Sequence, residues 1–266
     1  MNVPANDPAN DPVNDPVNDP VNDQYDVFAP FYDAVNGEPE ELVAQLLDVI
    51  SRHAPHARTL LELGCGTGAV LAGLGSGLER TGVDRSARML AYAQRRCPDV
   101  RLVEGDITSF DLAERFDVVI CVFDTLNHVT SSDGWRDVFA RAHAHLADGG
   151  LLVFDLNTVG RLRDLGDMAP WVYDFDGHTL VMDVDFHDEP LAVWDIRIFE
   201  RHTGSTYRLH HESIVELGVG LDEVRAMLAP HFDVLEESDT HGARPTDDSV
   251  RALLVARRRQ STSASD

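Results

Sequence analysis

The stretch Glu62-Leu63-Gly64-Cys65-Gly66-Thr67-Gly68 decides the fold of this chain, because its glycines follow directly on a short apolar segment, Thr59–Leu63. A strand that turns into a helix through glycines holds an anionic or polar ligand against its backbone N–H groups. Glycine also permits backbone conformations and a close approach to a ligand that a Cβ atom would prevent. The loop therefore predicts a binding site at the end of a first strand.

Strand and helix patterns alternate on both sides of this loop. The predicted strands are Thr59–Leu63, Arg80–Asp84, Val100–Val103, Phe116–Phe123 and Leu151–Leu156. One amphipathic helix begins near Pro39, a second follows Ser86 as its N-cap, and a third carries Trp135 and ends at Gly149-Gly150. This alternation is typical of a parallel sheet with right-handed crossovers, so we expect a doubly wound α/β fold.

The region from 159 to 216 departs from that alternation. Apolar residues take every second position around Met182–Phe186 and Trp194–Ile198, with turns at residues 188–190 and 203–204. Such a pattern predicts antiparallel strands with one wet face, inserted beside the main sheet. We expect the acidic positions of these strands to form a lid or wall that recognises a second small molecule beside the ligand of the glycine loop. These positions are Asp183, Asp185 and Asp195. A helix near Leu221–Leu228 and strands near Phe232–Glu236 and Arg251–Ala256 then return to the main fold.

The chain is thus predicted to contain five segments. Residues 1–23 repeat Asn-Asp-Pro with almost nothing apolar, a composition that cannot offset the entropy of ordering, so a disordered tail is expected. The remaining segments are a core at 24–158, the inserted sheet at 159–216, the C-terminal part of the core at 217–257 and a polar tail at 258–266.

Composition excludes several classes of protein. The formal net charge of −24 argues against a nucleic-acid partner, since binding phosphates needs a basic surface. All 22 basic residues are arginine, so neither a Schiff base to pyridoxal phosphate nor a P-loop lysine is available. The three cysteines have no metal-ligand spacing and suggest a reducing compartment. With neither a signal-peptide pattern nor a membrane-spanning run, we expect a cytoplasmic protein.

The glycines alone leave the cofactor open. Gly64, Gly66 and Ala69 also satisfy the dinucleotide pattern G-x-G-x-x-A, which keeps a nicotinamide-dependent oxidoreductase as an alternative. Glu62 opposes it, because a carboxylate near a diphosphate is unfavourable, whereas a cofactor with an amino group and a sulfonium is attracted by one. Glu62 therefore favours S-adenosyl-L-methionine.

Five motifs in order resemble class I S-adenosylmethionine-dependent methyltransferases, over about residues 25–156. They are Glu62–Gly68, Asp84, Gly105-Asp106-Ile107, Phe116-Asp117-Val118-Val119 and Gly149–Val153. The resemblance implies a Rossmann-like, mostly parallel seven-stranded sheet, with Asp84 on the ribose hydroxyls and Asp106 and Ile107 at the adenine. The cofactor-binding residues implied are Tyr25, Tyr32, Glu62, Gly64, Cys65, Gly66, Gly68, Asp84, Arg85, Met89, Asp106, Ile107 and Phe123.

More narrowly, Tyr25–Asp33, Asp124–His128 and the inserted sheet resemble small-molecule N-methyltransferases that act on nucleotide-linked amino sugars. This resemblance implies that Tyr25 and Tyr32 close over the cofactor and that His128 lies near the acceptor. His128 is the candidate catalytic residue, because histidine titrates near neutrality and can take a proton from an amine.

Several questions stay open at this stage. Asp124 and Asn157 also follow strands and could orient an acceptor. No metal site is expected, since neighbouring histidines such as His210 and His211 point to opposite faces of a strand. A non-catalytic protein with a methyltransferase fold is a further alternative. We expect a small-molecule acceptor, more readily an amine than a hydroxyl, without a nucleic-acid or membrane partner, and the oligomeric state is open, a homodimer included.

Overall fold

The structure, a computed structural model, describes residue 25, residues 27–187 and residues 190–260. The predicted tail at 1–23 lies outside these residues, as do positions 261–266 of the second tail and 188–189 of a predicted turn. The helices are α1 Tyr32–Asn36, α2 Glu40–His53, α3 Ala69–Gly73, α4 Ala87–Arg96, α5 Ser132–His145, α6 Val159–Gly166 and α7 Leu221–Leu228.

Two sheets organise the chain. The first contains β1 Thr59–Leu63, β2 Glu79–Asp84, β3 Arg101–Glu104, β4 Phe116–Cys121, β5 Leu146–Asn157, β10 Phe232–Asp239 and β11 Arg251–Arg258. The second contains β6 Trp171–Phe175, β7 His178–Asp185, β8 Leu191–Arg201 and β9 Tyr207–Leu217.

The seven strands of the main sheet lie in the order β10-β11-β5-β4-β1-β2-β3. The five strands β3, β2, β1, β4 and β5 are parallel, whereas β11 and β10 join antiparallel at one edge. The direction in which the strands follow one another reverses between β1 and β4. At such a point in a doubly wound sheet, the loops after the two strands run to opposite sides and leave a crevice. The predicted mostly parallel seven-stranded sheet is confirmed.

Burial explains why the central strands read as continuous apolar runs. The side chains of β4 are almost all buried, because helices cover both faces of the sheet. One core packs α5 and α7 against the sheet and includes the fully buried Trp135 and Phe154, and the other packs α2 and α3 on the opposite face around Leu46 and Leu71. Ser86 caps α4 as predicted, accepting a hydrogen bond from the Met89 backbone.

The small sheet is antiparallel in the order β6-β7-β8-β9, as predicted. Leu180, Ile196 and Ile198 on one face pack against Phe28 and Phe31 of the N-terminal segment. The acidic positions Asp183 and Asp195 are paired on the opposite face. The inserted sheet thus anchors the segment that precedes α1.

Several predicted boundaries were wrong. The helix with Trp135 ends at His145, and Gly149-Gly150 lie inside β5, where the pairing with β4 becomes irregular. The strand predicted as Phe116–Phe123 ends at Cys121, because Phe123 takes a positive φ of 58° and turns the chain. The inserted region begins with helix α6, capped by Thr158, and the unpredicted strand β6 follows it. None of the described helices is long and apolar enough to cross a membrane.

Gly68 offers a test of how the glycine loop supports the fold. Its φ is +75°, and an added Cβ would lie 3.0 Å from Cys97 Sγ and 3.1 Å from Ala93 Cβ of α4. We expect Gly68→Ala to lower the free energy of unfolding by about 2 kcal/mol or more, since strain and overlap add. Gly242→Ala is the control, because Gly242 has φ +79° and open space around it, so only strain of about 1 kcal/mol applies. Equal losses in urea denaturation would contradict the packing role of Gly68.

Candidate functional site

The glycine loop is shaped by bonds to the neighbouring strand. The backbone N–H groups of Gly64 and Cys65 both donate to the Val83 carbonyl, at 2.8 and 3.1 Å. Gly64 has φ +70°, and a Cβ there would lie 2.2 Å from Thr125 Cγ2, so no other residue fits. Gly66, with φ +50°, has no atom within 4 Å of an added Cβ, because that side of the loop faces a cavity.

This cavity, of about 490 Å³, lies at the carboxyl ends of β1, β2, β3 and β4. Its volume is in the range of small-molecule and cofactor sites. The predicted site residues that line it are Tyr25, Tyr32, Glu62, Gly64, Cys65, Gly66, Asp84, Arg85, Met89, Asp106, Ile107, Phe123 and His128. Gly68 is the exception: it does not line the cavity and instead packs against α4.

Glu62 places an unsatisfied acid against the cavity. Its side chain is 3% exposed, and among the described residues Oε2 has no hydrogen-bond partner. Burial, and then the nearby Asp84, raise the pKa of Glu62 well above its ordinary value. A buried carboxyl without a partner is costly, and a cationic amino group bound in the cavity would relieve that cost by pairing with it.

Asp84 supports the loop as well as facing the cavity. Its Oδ2 accepts a hydrogen bond from the Gly66 N–H at 2.8 Å, and its Oδ1 accepts one from the Ser86 N–H at 2.9 Å. Burial raises the pKa of Asp84, although these two hydrogen bonds act in the opposite direction. The carboxylate therefore ties the glycine loop to the start of α4.

Asp106 follows β3 and is exposed at the cavity. Its Oδ1 accepts hydrogen bonds from the Thr108 N–H at 2.8 Å and from the Thr108 hydroxyl at 2.7 Å. This local turn holds the carboxylate beside Ile107, which lines the same wall of the cavity.

The N-terminal segment closes one side of the cavity. Tyr25 and Tyr32 both line it, with their rings edge to face at 5.8 Å. Asp33 in α1 accepts hydrogen bonds from the Thr67 hydroxyl of the glycine loop at 2.6 Å and from Arg96 of α4 at 2.9 Å. This connection was not predicted, because no local pattern relates residues so far apart in sequence.

His128 lies at the same side of the cavity. It ends the 3-10 turn Thr125–His128 that follows β4, and its Nε2 is 3.0 Å from the Tyr25 hydroxyl. Burial lowers the pKa of His128, whereas the nearby Asp124 carboxylate acts to raise it. Burial raises the pKa of Tyr25 well above its ordinary value, so both side chains are neutral at neutral pH.

Other predicted residues lie elsewhere. Asp124 and Asn157 do not line the cavity but sit in a buried network behind His128. Of the described residues, none from the small sheet lines the cavity, so Asp183, Asp185 and Asp195 do not form its wall. Ligand atoms of Asp124, His128 and Glu216 lie within 4.8 Å of one another, a spacing that suits a metal ion. The Arg251 guanidinium already binds Asp124 there, and its positive charge opposes a cation.

Comparisons with known proteins define the class. Residues 60–150 match the family model of a methyltransferase domain. The fold resembles a methyltransferase from Clostridium acetobutylicum, with a TM-score of 0.78 at 23% identity, over 88% of this chain and 98% of that one. Residues 60–150 are therefore a methyltransferase domain, and S-adenosyl-L-methionine is its cofactor. That prediction is confirmed over the nicotinamide-dependent alternative.

Two further relatives narrow the resemblance. The chain is 35% identical over 132 residues to an enzyme from Streptomyces fradiae named dTDP-3-amino-3,6-dideoxy-alpha-D-glucopyranose N,N-dimethyltransferase. That match covers 48% of this chain and about half, 52%, of the relative. An amino pentose methyltransferase from Micromonospora echinaspora, solved with bound S-adenosylmethionine, is 26% identical over 91% of this chain and all of its own, with a TM-score of 0.71.

Asp84 gives the sharpest test of this site. We expect Asp84→Ala to abolish detectable binding of S-adenosylmethionine, because the variant loses both the carboxylate in the cavity and the bond that shapes Gly66. Isothermal titration calorimetry measures the affinity, and thermal denaturation checks the fold. Asp117→Ala is the matched control: Asp117 also accepts backbone N–H groups, from Arg58 and Thr59, but at the far end of the sheet. Near-normal affinity of Asp84→Ala would contradict the assignment.

Proposed function

We propose that this protein transfers the methyl group of S-adenosylmethionine to the amine nitrogen of a small molecule, an amino sugar carried on a nucleotide. The observation that carries the proposal is the neutral Tyr25–His128 pair beside the cavity that the glycine loop lines. The relatives named for amino-sugar and amino pentose methylation support the acceptor class.

The cofactor roles follow the chemistry of each group. The Glu62 carboxyl would pair with the amino group of the cofactor, and Asp84 would accept hydrogen bonds from its ribose hydroxyls. Asp106 would accept a hydrogen bond from the adenine amino group, and Ile107, Met89 and Phe123 would cover the ring. Backbone at Gly64, Cys65 and Gly66, with Arg85, Tyr25 and Tyr32, encloses the remainder; all of these residues line the cavity.

Burial of the Tyr25–His128 pair suits an amine acceptor. S-adenosylmethionine supplies an activated methyl group, so the protein has to orient the acceptor, exclude water and manage one proton. The bound cofactor would supply its methyl group to the acceptor nitrogen and leave as S-adenosylhomocysteine, and the methylated amine would give up one proton to the protein. Neutral His128 can accept that proton, and the Tyr25 hydroxyl holds the ring through Nε2.

The charge of the cavity also favours a cationic or basic acceptor. Among the described residues, six acidic residues and one arginine, Arg85, line it; the acidic residues are Asp33, Glu62, Asp84, Asp106, Asp133 and Asp137. An amine brings a group that these carboxylates attract, whereas a nucleotide diphosphate is expected to stay at the mouth. Asp133 and Asp137 belong to α5, so this helix contributes two of the acidic groups that line the cavity.

A panel of acceptors tests the proposal. The full chain is incubated with S-adenosylmethionine and a dTDP-linked amino sugar, the same amino sugar without the nucleotide, or a dTDP-linked sugar with hydroxyl in place of the amine. We expect S-adenosylhomocysteine and a methylated product by mass spectrometry from the amines alone. Methylation of the hydroxyl compound and of neither amine would overturn the proposed acceptor class.

A second prediction concerns His128. We expect His128→Ala to lower kcat roughly a hundredfold while leaving the affinity for S-adenosylmethionine almost unchanged, because the variant loses the proton acceptor and retains the glycine loop. His143→Ala is the control, since His143 is a partly buried histidine that packs against His231, away from the cavity. Unchanged turnover of His128→Ala would remove the proposed role of His128.

A further inference from the structure

A half-buried cation, Arg251, lies behind the turn that carries His128. Arg251, the first residue of β11, donates hydrogen bonds to Asp124 Oδ1 and to Asp155 Oδ2, each at 2.8 Å. Asp155, 1% exposed within β5, also accepts a hydrogen bond from the Asp124 N–H at 2.8 Å. Arg251 therefore joins the turn that follows β4 to the neighbouring parallel strand β5.

The backbone at this turn needs such support. Phe123 and Asp124 both have positive φ, of 58° and 49°, which is costly for residues other than glycine. A strained conformation of this kind persists only where the surroundings fix it. The bonds from Arg251 and Asp155 fix Asp124, and Asp124 leads directly into the 3-10 turn that ends at His128.

A second set of hydrogen bonds holds the other side of the turn. Asn127 is fully buried, and its amide group donates to the carbonyls of Asn157 and Leu217, each at 3.0 Å. Its Oδ1 accepts from the Asn157 N–H at 2.9 Å. The turn is thus held from β5, β9 and β11, and the position of the His128 imidazole depends on this network.

Two carboxyl groups, those of Asp124 and Glu216, lie near His128, and they differ in how readily they carry negative charge. Burial, and then Asp124, raise the pKa of Glu216 well above its ordinary value, which favours the neutral form of Glu216. Burial acts to raise the pKa of Asp124, but the Arg251 guanidinium acts in the opposite direction and the net shift is downward, so Asp124 is an anion at neutral pH. Ligand atoms of Asp124, Glu216 and His128 lie within 4.8 Å of one another, close enough for strong interaction.

We propose that Asp124, held by Arg251, is a positioning residue for methyl transfer: it fixes the turn that carries His128 and stabilises the proton that His128 accepts. The groups that face His128 are Tyr25 from the N-terminal segment, Asp124 from its own turn, Glu216 from β9 and Arg85 after β2. Of the two carboxyl groups, Glu216 has a raised pKa and Asp124 a lowered one, so Asp124 is the one that more readily carries negative charge. The inference rests on the proposed role of His128.

The first arm of the test needs no acceptor. The imidazole pKa of His128 is measured by NMR titration of the full chain, with its signal assigned from the spectrum of His128→Ala. We expect Asp124→Asn to lower this pKa by about 1 or more, because a nearby anion is lost while Arg251 stays in place. Asp117→Asn, a partly buried aspartate at the far end of the sheet, is expected to leave it unchanged. An unchanged His128 pKa in Asp124→Asn would overturn the proposal.

The second arm measures the rate at which the enzyme methylates an amine acceptor. We expect the acid limb of the kcat profile in Asp124→Asn to move to lower pH, and kcat at high pH to fall, because His128 becomes a weaker base. Arg251→Lys keeps the charge but loses the two-pronged contact, so we expect about tenfold lower kcat with unchanged affinity for S-adenosylmethionine. Arg257→Lys is its control in the same strand, where Arg257 binds backbone carbonyls of Gly149 and His53.

The two arms separate the two proposals. If no amine is methylated by the unsubstituted protein, the proposed function fails, yet the NMR titration still decides whether Asp124 sets the proton affinity of His128. If amines are methylated but Arg251→Lys behaves as Arg257→Lys does, the positioning role of Arg251 is wrong while the function stands.

Discussion

The hydrogen bonds between the end of β2 and the glycine loop are the interaction on which the site depends. The Val83 carbonyl accepts from Gly64 and Cys65, and Asp84 accepts from Gly66, so three successive backbone N–H groups are directed at one strand end. This arrangement leaves the outer side of Gly66 open to the cavity. Because parallel strands end at a common edge, this arrangement also brings Glu62, Asp84 and the turn after β4 to one cavity.

Local sequence patterns predicted the main fold because each signal acts over a few residues. Ser86 as a cap and the apolar run of β4 are examples, and both were confirmed. The failures have physical causes. Gly149-Gly150 predicted the end of a helix, but α5 ends earlier, at His145. The two glycines lie instead in β5, where its pairing with β4 is irregular. Thr158 capping α6 was a usable signal that the strand pattern beyond it obscured.

The candidate site was predictable only in part, for a different reason. Residues near the ends of parallel strands, such as Glu62 and Asp84, could be expected at the cavity because these strands end at the same edge of the sheet. Contacts between distant segments carry no local pattern: the Tyr25–His128 pair spans 103 residues, and a resemblance suggested only that each lies in the site. Arg251 could not be found at all, because its partners lie in β5 and in the turn after β4, 96 and 127 residues earlier in the chain.

The proton affinity of His128 follows from a series of compensations. Enclosing the cavity excludes water, and the same burial weakens His128 as a base by lowering its pKa. Asp124 acts against that effect, but burial also disfavours a carboxylate, which is why the pKa of Glu216 is raised. Arg251 acts in the opposite direction and favours the ionised form of Asp124. Under the proposed function, the proton that His128 accepts is thus stabilised indirectly by a cation that lies outside the cavity, on β11.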